Sequence, residues 1–107
     1  DYWEINEAFA AQVIGCVKAL NDADYCKTHF NQDKPIGLIP SDRLNVDGGA
    51  VAVGHPVGAS GARILLHLAK TLQYHNATRG MASICIGGGQ GGAMLIERAT
   101  GVNNDVE

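Results

Sequence analysis

The chain has 107 residues, of which 46% are hydrophobic and 18% charged, with a net charge of −3. That length allows one domain at most, with a moderate core, and the balance argues against a disordered chain. The small negative charge gives no electrostatic reason to expect nucleic acid or an anionic membrane as partner, and no apolar stretch runs unbroken far enough to insert into a bilayer.

Residues 2–6, aromatic and β-branched, suit a strand. Phe9, Val13, Cys16, Val17 and Leu20 then recur on one stripe of an amphipathic helix, for which Asn6 is an acceptable N-cap and Glu7 a favourable first-turn carboxylate. Residues 24–44, with Pro35 and Pro40, read as a surface loop holding a short helical piece. Residues 50–53, after Gly48-Gly49, read as a short buried strand. A second helix follows, with Gly61, Ile64, Leu65, Leu68 and Leu72 on one face and Arg63, His67, Lys70 and Gln73 opposite. Residues 81–86 are apolar on both faces, as a central strand requires, and residues 93–97 return as the second arm of a hairpin. Residues 102–107 read as a frayed tail. The order strand, helix, strand, helix, strand, strand makes the class α/β.

Fourteen glycines is about twice the usual share of ~7%, and they cluster in two places. The opening Asp1-Tyr2-Trp3-Glu4-Ile5-Asn6 reads as the middle or end of a strand, with no initiator Met and no targeting pattern before it. The expectation is an incomplete domain over 1–107 whose N-terminal partner sequence is missing. Cys16, Cys26 and Cys85 are odd in number and widely spaced; they form neither a zinc pattern nor a disulfide framework and suit a reducing compartment.

Cys85 opens Cys85-Ile86-Gly87-Gly88-Gly89-Gln90-Gly91-Gly92, at the junction of a strand and nearly bare backbone. Without Cβ atoms in the way, a substrate can reach peptide N–H groups there, and Gly87 is the best placed to donate to an oxyanion. A free cysteine is most often core packing, a reading that suits Cys16 on its helical stripe and Cys26 reasonably well. The loop is no P-loop, because no Lys follows it and it feeds a strand. A tight turn would explain two glycines, not five residues of six. His29, His67 and His75 have the polar-face or loop positions of ordinary surface histidines. His55 differs, being locked between Gly54 and Pro56 just before a helix start; a neutral ring there serves as base toward a thiol or as donor to an oxyanion. Asn6 alone reads as a helix cap, and only its company raises it.

Three segments, taken together and in order, resemble the C-terminal part of a thiolase (acetyl-CoA acetyltransferase or 3-ketoacyl-CoA thiolase). They are Asn6-Glu7-Ala8-Phe9-Ala10, then Asn45-Val46-Asp47-Gly48-Gly49-Ala50 with Gly54-His55-Pro56-Val57-Gly58-Ala59-Ser60-Gly61-Ala62-Arg63, and Cys85-Ile86-Gly87-Gly88-Gly89-Gln90-Gly91. The resemblance covers nearly all of the chain except roughly residues 22–44, where the longer connection is more like the degradative, fatty-acid-oxidation type.

It implies the layered αβαβα fold, with a mixed sheet and packed helices, and reversible Claisen chemistry on CoA thioesters. His55 would take the proton of a nucleophilic cysteine and help hold the thioester oxygen of the acetyl-CoA enolate. Asn6 would position a water at that oxyanion site, Cys85 would be the acid/base at the α-carbon, the Gly87 N–H would form part of a second oxyanion hole, and Phe9 would line the acyl pocket. No metal or cofactor is implied, coenzyme A being a substrate. A homo-oligomer, dimer or tetramer, and a cytoplasmic protein are expected, an organelle staying open. Neither Cys16 nor Cys26 has the setting of the family's nucleophile, so the isolated chain is expected to be inactive. Two other readings stand beside this one. A ketoacyl synthase shares the Gly-His-x-x-Gly-Ala-x-Gly element, but its equivalent of the Cys85 loop usually begins with an aromatic residue. A non-catalytic acyl- or lipid-binding relative would have no use for Asn6, His55 and Cys85 together.

Overall fold

A computed structural model describes residues 1–99; the 102–107 tail lies outside the described residues. Its elements are β1 (Tyr2–Ile5), α1 (Ala10–Leu20), α2 (Ala23–Phe30), a 3-10 turn (Ser41–Arg43), α3 (Ala50–Val53), α4 (Ser60–Tyr74), β2 (Arg79–Gly87) and β3 (Gln90–Glu97). The sheet order is β1-β2-β3, with β1 parallel and β3 antiparallel to β2. The class is therefore α/β with a mixed sheet, as expected, and β2 is the central strand.

A parallel pair needs a crossover between its strands, and here the last leg of that crossover is α4. Its buried residues Ser60, Ile64, Leu68, Thr71 and Leu72 recur at helical spacing and turn one face to the sheet. The core is Tyr2, Ile64, Leu68, Leu72 and Ala82, with Val46, Leu65, Ala77, Ile84 and Ile96 packed at its margin. Leu68 is fully buried and Leu72 nearly so; each such burial is worth about 1.5–3 kcal/mol. Close approach of α4 depends on Gly80: a Cβ there would stand 2.7 Å from Leu68 Cδ1.

Several sequence expectations need correction. Asn6 does not cap α1. Its backbone N–H donates to Ser83 O at 2.9 Å, which prolongs the β1–β2 ladder, and α1 starts only at Ala10 behind an extended Phe9. Glu7 serves a different helix: its Oε1 accepts from Val51 N, in α3, at 3.4 Å. The stripe on α1 buries nothing completely, and Cys16 is exposed rather than packed. Residues 50–53 form a helical turn, not a strand. Val53 N donates to Gly49 O and Gly54 N to Ala50 O, so the backbone is satisfied locally, and Val51 and Val53 face outward. Four apolar residues carry no periodicity that separates a strand from one helical turn.

Residues 24–44 hold more helix than expected. Asp22 Oδ1 accepts from Tyr25 N at 2.7 Å and starts α2, Asn31 ends it in the left-handed region, and Cys26 is its one fully buried residue. The hairpin is as expected, its turn carried by Gly87, Gly88 and Gly89, all at positive φ.

Gly80→Ala should lower stability by about 1–3 kcal/mol, because the fully buried Leu68 has no free space to retreat into. The urea midpoint measures this, and an unchanged midpoint would show that α4 does not rest on Gly80.

Candidate active site

The end of β1, the loop between α3 and α4, and the β2–β3 hairpin meet around Asn6. Asn6 is buried, held by its own backbone bond to Ser83. Its Nδ2 lies 3.4 Å from His55 Nδ1. Among the described residues its buried Oδ1 has no hydrogen-bond partner. An unpaired buried carbonyl costs roughly 1–3 kcal/mol, so such an atom marks a place for a donor.

His55 is fixed by the start of α4. Pro56 O accepts from Ala59 N and from Ser60 N, which winds the first turn directly behind the imidazole. The fully buried Ser60 places Oγ 2.6 Å from His55 Nδ1 and donates to Pro56 O at 3.1 Å. With the hydroxyl proton committed to Pro56, Ser60 accepts at 2.6 Å, whereas the donor Asn6 Nδ2 stands off at 3.4 Å, so the shorter contact favours the hydrogen on His55 Nδ1. Nε2 then holds the lone pair, which is the nitrogen a base needs. Arg63, one turn along α4, donates from Nη2 to Gly54 O at 2.6 Å and steadies the backbone on the other side of His55.

Cys85 sits on β2 opposite Gly91, two residues before the bulge at Gly87. Its thiol is exposed and lines a cavity of about 710 Å³ between α1 and the hairpin. Asn6, Gln12, Cys16 and Tyr25 share that wall. Asn6 also lines a smaller cavity of about 200 Å³ on its other side, with Glu7, Gly49 and Arg63. Asn6 is thus in contact with His55 and on one wall with Cys85, while His55 itself lines neither cavity. Gly87 adopts φ +132° with open space where a side chain would stand. Phe9 is 71% exposed and lines neither cavity. Among the described residues no group of three His, Cys, Asp or Glu side chains could hold a metal ion.

The family model for the thiolase C-terminal domain matches residues 1–98. The chain belongs to the thiolase family. The acetyl-CoA acetyltransferase of Escherichia coli (strain K12) is 47% identical over 98 residues, covering 92% of this chain and 21% of that protein. The cytosolic acetyl-CoA acetyltransferase of Rattus norvegicus is also 47% identical, with 92% and 20% covered. A probable 3-ketoacyl-CoA thiolase of Caenorhabditis elegans is 38% identical, with 91% and 22% covered. A solved acetyl-CoA acetyltransferase from Syntrophomonas wolfei superposes with a TM-score of 0.71 at 38% identity, over 92% of this chain and 22% of that one. The chain therefore spans about a fifth of the length of the curated thiolases it matches.

Sequence reasoning missed the supporting residues of this thiolase segment. Ser60, five positions after His55, offered one signal: a small hydroxyl residue at a helix start. Asn45 opens one of the matching segments with no role attached to it there, yet its side chain donates to Ile5 O and accepts from Ile5 N, both at 2.9 Å. Glu4, Asp47 and His67 were invisible as a group, because strand, loop and helix bring them together only in the fold. Cys16 was read as packing and proves to share a cavity with Cys85.

Nitrogen NMR of labelled imidazole should find His55 protonated at Nδ1 in its neutral form, and Ser60→Ala should mix the two tautomers. A wild-type ring protonated at Nε2 would contradict the assignment.

Proposed function

We propose that residues 1–107 are the incomplete C-terminal domain of an acyltransferase that runs reversible Claisen condensation and thiolysis of CoA thioesters. In thiolysis, 3-ketoacyl-CoA and CoA give acetyl-CoA and a shortened acyl-CoA. The observation that carries this reading is Asn6, which joins the His55 imidazole at 3.4 Å to the cavity of the Cys85 thiol and keeps a buried carbonyl without a partner.

The chemistry follows from the groups. A cysteine outside this chain attacks the 3-keto carbonyl, and His55 Nε2 takes the thiol proton; the Nδ1–H bond to Ser60 makes that nitrogen available. The C2–C3 bond breaks, the acyl group stays on the attacking sulfur, and the electron pair moves onto the acetyl-CoA fragment as an enolate. Nε2–H, now protonated, donates to the enolate oxygen, together with a water accepted by Asn6 Oδ1. Cys85 delivers its proton to C2, releasing acetyl-CoA, and in condensation takes that proton away. The bare N–H of Gly87 serves the second oxyanion, formed when CoA attacks the acyl-enzyme. Phe9, exposed in this chain, is assigned to the acyl pocket.

Neither remaining thiol suits the nucleophile: Cys26 is fully buried, and Cys16 stands on α1 with no hydrogen bond to an imidazole among the described residues. The isolated chain is therefore inactive, and the activity belongs to a longer polypeptide. Exposed apolar side chains such as Val51 and Val53 on α3 and Met94 and Leu95 on β3 favour burial against further protein, and a homo-oligomer, dimer or tetramer, suits them. No helix among the described residues is long and apolar enough to cross a membrane. A cytoplasmic setting is assigned on the free cysteines alone.

In the full-length protein, Cys85→Ala should abolish deuterium uptake at the acetyl-CoA methyl group in heavy water and lower thiolysis by roughly 10²–10⁴-fold. Acylation of the nucleophile by acetyl-CoA should survive. Undiminished exchange in the variant would refute the acid/base role. Measurable thiolysis by the isolated 107-residue chain would refute the assignment of the nucleophile to sequence outside it.

A further inference from the structure

Nothing in the proposed chemistry uses His67, yet both of its ring nitrogens are engaged. Nδ1 meets Glu4 of β1, and Nε2 lies 2.7 Å from Asp47 Oδ2. Glu4 is buried two residues before Asn6. Asp47 lies in the segment that runs from Asn45, already bonded to Ile5, through Gly49 and α3 to His55. One imidazole thus joins the strand that carries Asn6, the segment that leads to His55, and the helix whose first turn holds Ser60.

We infer that His67 is a positioning residue, which fixes the strand end bearing Asn6 against the segment feeding His55. It touches no reacting atom and acts through those two side chains. The inference rests on the functional reading above and deepens it.

The network has a definite proton logic. A protonated ring offers an N–H to each carboxylate; a neutral ring turns one lone pair toward a carboxylate, and one of the two ties is lost. Burial pushes the Glu4 carboxyl above its ordinary range, against the opposing pull of His67. Burial works against a charged His67, but its bonds to Glu4 and Asp47 outweigh this and raise its value above the ordinary 6.5. Other charged groups face the same place. Glu7 and Arg63 line the small cavity beside His67, and Asp42, Lys70 and His75 line a neighbouring one on its other side. Arg63 is occupied by Gly54 O. Glu4 and His67 both hold protons more firmly in the folded state than in the unfolded one. The native state binds more protons, so this contribution to stability is complete at low pH. It is lost as pH rises through the raised Glu4 and His67 values.

The test uses the full-length protein with 3-ketoacyl-CoA and CoA. His67→Leu should lower kcat at about pH 6 on the order of tenfold, a loss typical of misaligned catalytic groups. KM should stay within about twofold, since substrate contacts are unchanged. The ratio of wild-type to variant kcat should shrink toward one as pH rises, because the wild-type ring then discharges and gives up its own tie. Glu4→Gln keeps an acceptor for the Nδ1 hydrogen and removes the buried charge. It should hold kcat within about threefold and shift the fall in that ratio to lower pH, and it serves equally if His67→Leu does not fold. The wild-type melting temperature should drop as pH rises through the same window, and the drop should shrink in Glu4→Gln. A pH-independent ratio, or unchanged kcat in His67→Leu at low pH, overturns the inference. So does a flat wild-type melting profile in an enzyme that does cleave substrate, and these outcomes leave the functional reading standing. A wild-type protein without thiolysis overturns that reading and this one with it.

Discussion

The parallel seam between β1 and β2 sets the geometry of everything else. Its register pairs Tyr2 with Gly80 through Ile5 with Ser83, and the bond from Asn6 N to Ser83 O carries it one residue further. That last bond puts a buried amide beside the stretch of β2 that carries Cys85. The same seam requires the chain to cross over, and α4, the final leg, lies against the sheet where Gly80 lets Leu68 approach. The first turn of α4 then stands next to Asn6 with Ser60 and His55. A strand pairing chosen for burial and hydrogen bonding thus also brings two segments of the candidate site, distant in sequence, to one strand end.

Legibility followed the length of the pattern. α4, with apolar positions sustained over fifteen residues, and the hairpin, with its apolar strand and glycine turn, could be read directly. Residues 50–53 could not, because Ala50-Val51-Ala52-Val53 suits a strand by composition and is too short to show a helical period. The start of α1 was misread because Asn6 has two uses for its backbone. Its N–H joins the ladder, which defers the helix to Ala10, and its side chain turns to His55. α2 was hidden in a polar stretch whose start signal was a single aspartate, Asp22.

The candidate residues could be picked out as a set, whereas their support could not. His55, Cys85 and Gly87 stand in glycine-rich or proline-flanked settings that have no economical structural reading, and Asn6 is raised only by their company. Ser60, Asn45, Glu4, Asp47 and His67 are ordinary residues in ordinary places. Their role comes from contacts across as many as 63 positions, as between His67 and Glu4, which no local pattern encodes. The division is physical: residues beside glycine or proline stand out in the sequence, whereas the groups that hold them need only to be brought near.

The central claim is that the imidazole at 55, the amide at 6 and the thiol at 85 face one substrate. A crystal structure of the full-length protein with acetyl-CoA bound tests it most directly. The account predicts the thioester oxygen at hydrogen-bond distance, roughly 2.7–3.2 Å, from His55 Nε2, a water between that oxygen and Asn6, and the methyl carbon against Cys85 Sγ. A thioester bound with its methyl carbon turned away from Cys85, or with His55 Nε2 facing protein instead, would contradict it.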